Sequence, residues 1–190
     1  MDKDKLDKLK IDLSLKAKNG IDFIVAASVV WLLIGLIWTL SYSSYNKSVF
    51  TFMISGILLP LALLLSKVFK TEWKNPTNPI APLGLWLNFA QLFYFPFLIF
   101  ILLKMPDYFI MTYAIITGAH LFPYAWFYDE IAYGIAAGGI AIGALLLALQ
   151  LSAANMYILP VVVSGSLMVL AITLYLSFRK KAAAFSSLTE

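Results

Sequence analysis

The chain has 190 residues, 62% of them hydrophobic and only 13% charged, with a formal net charge of +4. Soluble domains carry about 25% charged residues, so a soluble fold with a polar surface is excluded. There is no cysteine and His120 is the one histidine. Disulfides, thiol chemistry, cysteine-ligated metals and multi-histidine metal sites are thereby excluded.

Residues 1–20 alternate charge with apolar side chains. Leu6, Leu9, Leu13 and Ala17 fall at helical spacing among six lysines, which predicts a short amphipathic helix on an anionic membrane surface. Leu9, Ile11, Leu13 and Leu15 also alternate as a strand would. The arm is read as a topology anchor, with a docking or gating element as the alternative. No signal peptide is visible, because the arm has no apolar run. Asn19-Gly20 is a helix stop, and Asp22 is placed to cap the helix that follows.

A membrane domain over 21–178 follows. A hydrocarbon core of about 30 Å needs roughly 20 apolar residues per crossing helix. Six runs meet that length, at about 23–42, 49–66, 82–103, 108–127, 131–150 and 157–178. A basic tail, 179–190, closes the chain. The expected fold is an all-α integral membrane protein, a six-transmembrane-helix bundle. Lysine and arginine set its orientation. Six lysines lie in the arm, Lys67, Lys70 and Lys74 follow the second run, and Arg179, Lys180 and Lys181 follow the sixth. Lys47 and Lys104 stand alone on the other side. Both termini are therefore expected in the cytoplasm, and the bias to 13 Lys over one Arg suggests a bacterium, whose inner membrane would hold the protein. Tyr42, Tyr45, Trp73, Trp86, Tyr108, Trp126, Tyr128 and Tyr157 lie near span ends, where amphipathic rings prefer to sit. Asn75-Pro76-Thr77-Asn78-Pro79 is the longest turn-rich loop. Asp22-Phe23-Ile24 and Asp107-Tyr108-Phe109-Ile110 open the first and fourth spans alike, and Gly56-Ile57 resembles Gly139-Ile140. A 3+3 inverted repeat would produce such pairs.

No Asp, Glu, Lys or Arg falls inside an expected span. Charged side chains there mark proton relays, voltage sensors and ion-coupled carriers, so those classes are disfavoured. Asn88 and Gln91 share a face in the third span, and His120, Tyr124 and Tyr128 form a stripe in the fourth. Gln91, His120 and Trp31 each lie nine residues from a cytoplasmic span end, about 13 Å deep. One reading is a cytoplasm-facing pocket lined by His120, Asn88, Gln91, Tyr124, Trp31 and Tyr94, because small-molecule sites are mostly apolar with a few placed polar groups. The competing reading is interhelical hydrogen-bond glue. Asp129-Glu130 is expected to cap the fifth span, where Gly134, Gly138, Gly139 and Gly143 suit close helix packing, inside the bundle or in a homodimer. Pro60, Pro96, Pro123 and Pro160 favour kinks.

The stretch Gly118-Ala119-His120-Leu121-Phe122-Pro123-Tyr124-Ala125-Trp126-Phe127-Tyr128 resembles a segment in a family of small bacterial membrane proteins of unknown function. Asn19-Gly20 and Trp31 are similar to that family as well. The resemblance implies a six-span bacterial protein and brings no activity.

The leading expectation is a protein that binds or moves a small neutral or apolar solute. A non-catalytic scaffold or accessory subunit packing through its glycine faces is the alternative. A lipid-modifying enzyme using His120 and Asp129 ranks last, since nine residues along a helix put them about 13 Å apart. No cofactor, metal or nucleic acid is expected. The expected partners are anionic lipid at the N-terminal lysines, a small-molecule ligand and a second copy of the chain.

Overall fold

Apolar runs with few polar breaks leave the backbone no partner but itself, and helices result. The computed structural model describes residues 3–187, and among these it has nine α-helices and no strand. They are α1 (Lys3–Lys16), α2 (Ile21–Trp38), α3 (Ser44–Ser55), α4 (Leu58–Phe69), α5 (Pro82–Leu92), α6 (Phe95–Lys104), α7 (Phe109–Phe127), α8 (Ile131–Gln150) and α9 (Ile158–Ser186). Five helical segments are long and apolar enough to cross a membrane: Lys18–Trp38, Ser44–Phe69, Pro82–Lys104, Ile131–Gln150 and Ala153–Ser186. Many large apolar side chains along them are exposed, Met53, Val68, Phe93 and Leu149 among them. Such a surface suits lipid and not water.

Two of these segments are broken where proline predicts it. Pro60 has no N–H for the carbonyl of Gly56, and the chain tightens there between α3 and α4 through Gly56 N to Met53 O (3.2 Å) and Ile57 N to Ile54 O (3.0 Å). Pro96 likewise stands in the first turn of α6, just after the break at Phe93-Tyr94. Pro123 lies inside an unbroken α7, and Pro160 sits near the start of α9. α7 has 19 residues, enough length to cross, but Thr112, Tyr113, Thr117, His120 and Tyr124 make it less apolar than the other five. It touches α3, α5, α6, α8 and α9, so much of its surface meets protein and has no need to be lipid-like.

The core is a sandwich of α2, α7, α8 and α9. Against α2, α9 packs through a reciprocal serine pair: Ser28 Oγ donates to Ser164 O (2.9 Å) and Ser164 Oγ donates to Ser28 O (2.7 Å). Gly118 sets the approach of α7 to α8. A Cβ there would lie 2.8 Å from Ala141 N and 3.1 Å from Ala137 O, so only glycine lets the backbones meet. The expected packing glycines behave otherwise. Gly134 approaches Ala125, but a Cβ on Gly138, Gly139 or Gly143 would meet nothing within 4 Å. Gly138 faces outward, and Gly139 and Gly143 line a hollow between α8 and α9, so these three do not make the close packing expected inside the bundle.

The arm is a helix, as the 3–4 spacing of Leu6, Leu9 and Leu13 predicts, and it is docked against protein. Lys10, Leu13 and Ser14 are buried. The loop 71–81 straps it down. Asn78 Nδ2 donates to Leu9 O (2.8 Å) and to Asp12 Oδ2 (2.8 Å), Asn75 Nδ2 donates to Asp12 Oδ2 (2.5 Å), and Glu72 N donates to Lys16 O (3.0 Å). At the same end, Lys181 Nζ near the end of α9 lies 3.2 Å from Ser14 Oγ. Segments near both ends of the chain thus meet at one end of the bundle.

Candidate functional site

The linker that turns the arm into α2 creates the most polar region of the interior. Lys18, Asn19 and Gly20 all have positive φ (47°, 56° and 72°). Asparagine and glycine tolerate this left-handed region, which explains the Asn19-Gly20 stop. Gly20 is needed for space as well: a Cβ would sit 3.2 Å from the hydroxyls of both Tyr128 and Tyr133.

Asn19 is fully buried. Its Oδ1 accepts from Ser14 Oγ (2.5 Å), its Nδ2 donates to Leu174 O (3.1 Å) and Glu130 Oε2 (3.4 Å), and its backbone carbonyl accepts from Tyr133 OH (2.6 Å). Glu130 was expected to cap α8, yet its side chain makes no cap hydrogen bond. It turns inward, accepting from Ser177 Oγ and pairing with Lys181 Nζ at 3.1 Å. Lys181 also donates to the carbonyls of Tyr128 and Asp129, each at 3.0 Å. A buried carboxylate is tolerated only when paired and hydrogen-bonded, and this one is both. Asp129, at φ 51° and exposed, supplies only its carbonyl.

Asp22 is 1% exposed. Its Oδ1 accepts from Phe23 N (3.0 Å), and its Oδ2 accepts from Thr71 Oγ1 (2.6 Å) and Trp73 Nε1 (2.5 Å). It lies inside the first turn of α2 and is not the expected cap, since Gly20 holds the N-cap position and no side chain caps the helix; Asp22 instead ties that turn to the loop. Outside the membrane segments, Asp12 has a carboxyl below the usual range. Burial pushes it up, but hydrogen bonds from Asn78, Lys16 and Asn75 outweigh that, aided by the Lys16 charge.

The residues expected to line a pocket are dispersed. His120 and Tyr124 adjoin on α7, ring edge to ring face at 5.5 Å between centroids. Tyr124 continues into a buried aromatic cluster with Phe127, Tyr128 and Tyr133, at 5.7–6.2 Å. Tyr128 is therefore an interior ring and not part of an interfacial belt. Trp31 is buried and stacks on Tyr113 (5.2 Å), whose hydroxyl donates to Ser55 Oγ (2.9 Å). Asn88 is exposed and gives its amide to Gly84 O in its own helix (3.0 Å), so it is not interhelical glue. Gln91 is half-buried, Tyr94 is exposed beside the α5–α6 break, and α5 has no buried residue. Two hollows lie elsewhere. A small one between α8 and α9 is lined by Gly139, Gly143 and Leu159, and an open groove between α2 and α3 by Ile37, Phe50 and Ile57.

Within this arrangement one polar atom lacks a partner. The Tyr124 hydroxyl is buried and makes no hydrogen bond among the described residues. Among the described residues no three His, Cys, Asp or Glu side chains gather as a metal site requires. Ser177 gives its proton to Glu130, so the cluster holds the bundle end together.

Fold and site together define an all-helical membrane-type protein with a polar clasp at one end. The chain belongs to a family of unknown function, DUF7010, whose model matches residues 6–177. No curated protein and no solved structure matches the chain.

Proposed function

We propose that this is a six-span protein of the bacterial cytoplasmic membrane, both chain ends in the cytoplasm, that binds or moves a small neutral or apolar solute at His120 and Tyr124. The orientation rests on the lysine asymmetry and on the meeting of both chain ends at one end of the bundle. The sixth span is α7, whose neighbours shield its polar residues. An inverted 3+3 plan has support in the packing. In each half the first span packs on the second, α2 on α4 and α7 on α8. The third span of each half crosses to the first span of the other: α9 to α2, and α5 with α6 to α7.

The observation that carries the solute reading is the unpartnered Tyr124 hydroxyl. Leaving a buried donor unsatisfied costs about 1–3 kcal/mol, and native interiors rarely do so. A solute with one acceptor oxygen and an apolar body would satisfy it while resting on the surrounding rings. His120, half-buried one turn earlier, stands at the edge of that cluster. The test is a thermal-shift screen of small neutral alcohols, ketones, amides and phenols against detergent-purified protein. One class should raise the melting temperature of the wild type and not of Tyr124→Phe or His120→Ala. Without solute, Tyr124→Phe should be at least as stable as wild type, because it deletes an unsatisfied group. A shift that persists in Tyr124→Phe, or no shift from any class, defeats the proposal.

The scaffold reading is favoured by a separate observation, the uncovered Gly138, Gly139 and Gly143. A partner helix could approach closely there. Gly139→Leu would then abolish a dimer or partner complex seen by crosslinking in the native membrane; unchanged crosslinks would remove this reading.

A further inference from the structure

The bend at Gly56-Ile57 has an effect at the opposite end of the bundle from the clasp. Below the bend α4 packs firmly on α2, with Ala62 fully buried, while α3 meets α2 much less. Hydroxyl groups on α3 reinforce the departure. Ser48, Thr51 and Ser55 each donate back to the carbonyl four residues earlier, at 2.7, 2.8 and 2.7 Å, a pattern that bends helices. α3 is tied to the end of α2 at Trp38, whose Nε1 donates to Thr51 Oγ1 (3.1 Å). Beside that bond an open groove of about 430 Å³ remains, walled by Ile37 and Leu40 of the α2 end and by Phe50, Met53, Ile54 and Ile57.

The walls are wholly apolar, and the volume falls in the range of small-molecule sites. From Phe50 to Ile57 is seven residues, so this wall of the groove is about 10 Å long. Lys47 stands one helical turn before Phe50, beside the end of the groove away from Ile57. Its ammonium lies 3.2 Å from the carbonyl of Trp38, the residue after Ile37, and 5.8 Å from the centre of the Trp38 ring. It has no carboxylate partner among the described residues, so one carbonyl takes one of its three donors and its charge is not neutralised. Capping the carbonyls at the end of α2 explains where the side chain lies. It does not explain why an unneutralised cation stands beside the end of a wholly apolar groove.

We infer that this groove holds one acyl chain of an anionic phospholipid from the leaflet opposite the chain ends, with its phosphate on the Lys47 ammonium. The shape selects an extended alkyl chain and the charge selects the head group. This site is independent of His120 and Tyr124, so either can fail without the other.

The test is native mass spectrometry of the full-length protein in mild detergent, titrated with phosphatidylglycerol or phosphatidylcholine of identical acyl chains. Wild type should retain one phosphatidylglycerol about five-fold more tightly than phosphatidylcholine, the effect of a single lysine near an anionic head group. Lys47→Gln should bind both lipids alike. Met53→Trp, which places an indole across the groove, should weaken both. Its melting temperature reports that it still folds, and brominated acyl chains should not quench the new indole more than bulk lipid does. Equal binding of the two lipids by wild type refutes the head-group assignment. Unchanged retention by Met53→Trp places the lipid elsewhere and overturns the groove.

Discussion

Replacing Gly118 by alanine adds one methyl group where α7 and α8 touch. The new Cβ would lie 2.8 Å from Ala141 N, 3.0 Å from Ile140 Cγ2 and 3.1 Å from Ala137 O. Two of those three atoms are backbone, so relief requires the helices to part. Overpacking of this kind costs typically about 1–3 kcal/mol, and contact with backbone argues for the upper end. Alanine recovers about 1 kcal/mol of helix propensity, which leaves a net loss of about 2 kcal/mol. Gly138→Ala is the matched control on the facing helix. Its Cβ meets nothing within 4 Å, so it should gain up to about 1 kcal/mol. The pair should separate by about 3 kcal/mol. At about 2–4 °C per kcal/mol for a chain of this size, that is about 9 °C in a detergent melt. Equal melting temperatures, or a more stable Gly118→Ala, would mean that α7 and α8 are not in backbone contact.

Lys181→Met strips Glu130 of its cation. A fully buried pair loses roughly 3–5 kcal/mol when broken, and with side-chain exposures of 24% and 11% for Lys181 and Glu130 the expected loss is about 2 kcal/mol. Adding Glu130→Gln should recover much of it in the same melt. Gly20→Ala forces a side chain to φ 72° against two tyrosine hydroxyls and should cost at least about 1 kcal/mol, whereas Gly143→Ala should cost nothing. Acid should release α1 before the bundle melts. The carboxyl of Asp12 is depressed below 3.8, so its contribution is complete above that pH and is lost as pH falls through the lower folded value. Protease nicking of the arm should rise in that window, and Asp12→Asn should remove the pH dependence. Nicking that ignores Asp12→Asn would show that another group holds the arm.

Helices were easy to read from the residues because apolar runs of bilayer length have few alternatives. Span five, 131–150, coincides with α8, and the splits at Pro60 and Pro96 follow from the missing N–H. The arm's helical period was legible; its burial was not. Lys10 and Lys181 carry the same charge as lysines in solvent, and only the folded chain shows that Trp126 lies beneath the Lys10 ammonium at 4.2 Å and that Glu130 faces Lys181. Asn75 and Asn78 look like turn residues in any loop, so their bonds to Asp12 left no mark in the sequence. Gly118 was overlooked as a packing residue because it stands alone, while the paired glycines of α8 fit a known spacing. The neighbours His120 and Tyr124 could be paired by counting one turn along one helix. Linking them to Asn88 and Gln91 required knowing how α5 is rotated, which equal depth does not give.

The clasp also bears on how the chain is made. Asn19 waits for Leu174, 155 residues later, and Ser14 waits for Lys181, 167 residues later. Until the last helix is synthesised, the amide of Asn19 and the carboxylate of Glu130 lack partners that α9 alone provides. A nascent chain stalled before α9 would keep the loop 71–81 on its arm but lack the closure that Leu174 and Lys181 bring. Full closure of the arm thus waits for α9, long after the loop 71–81 has been made.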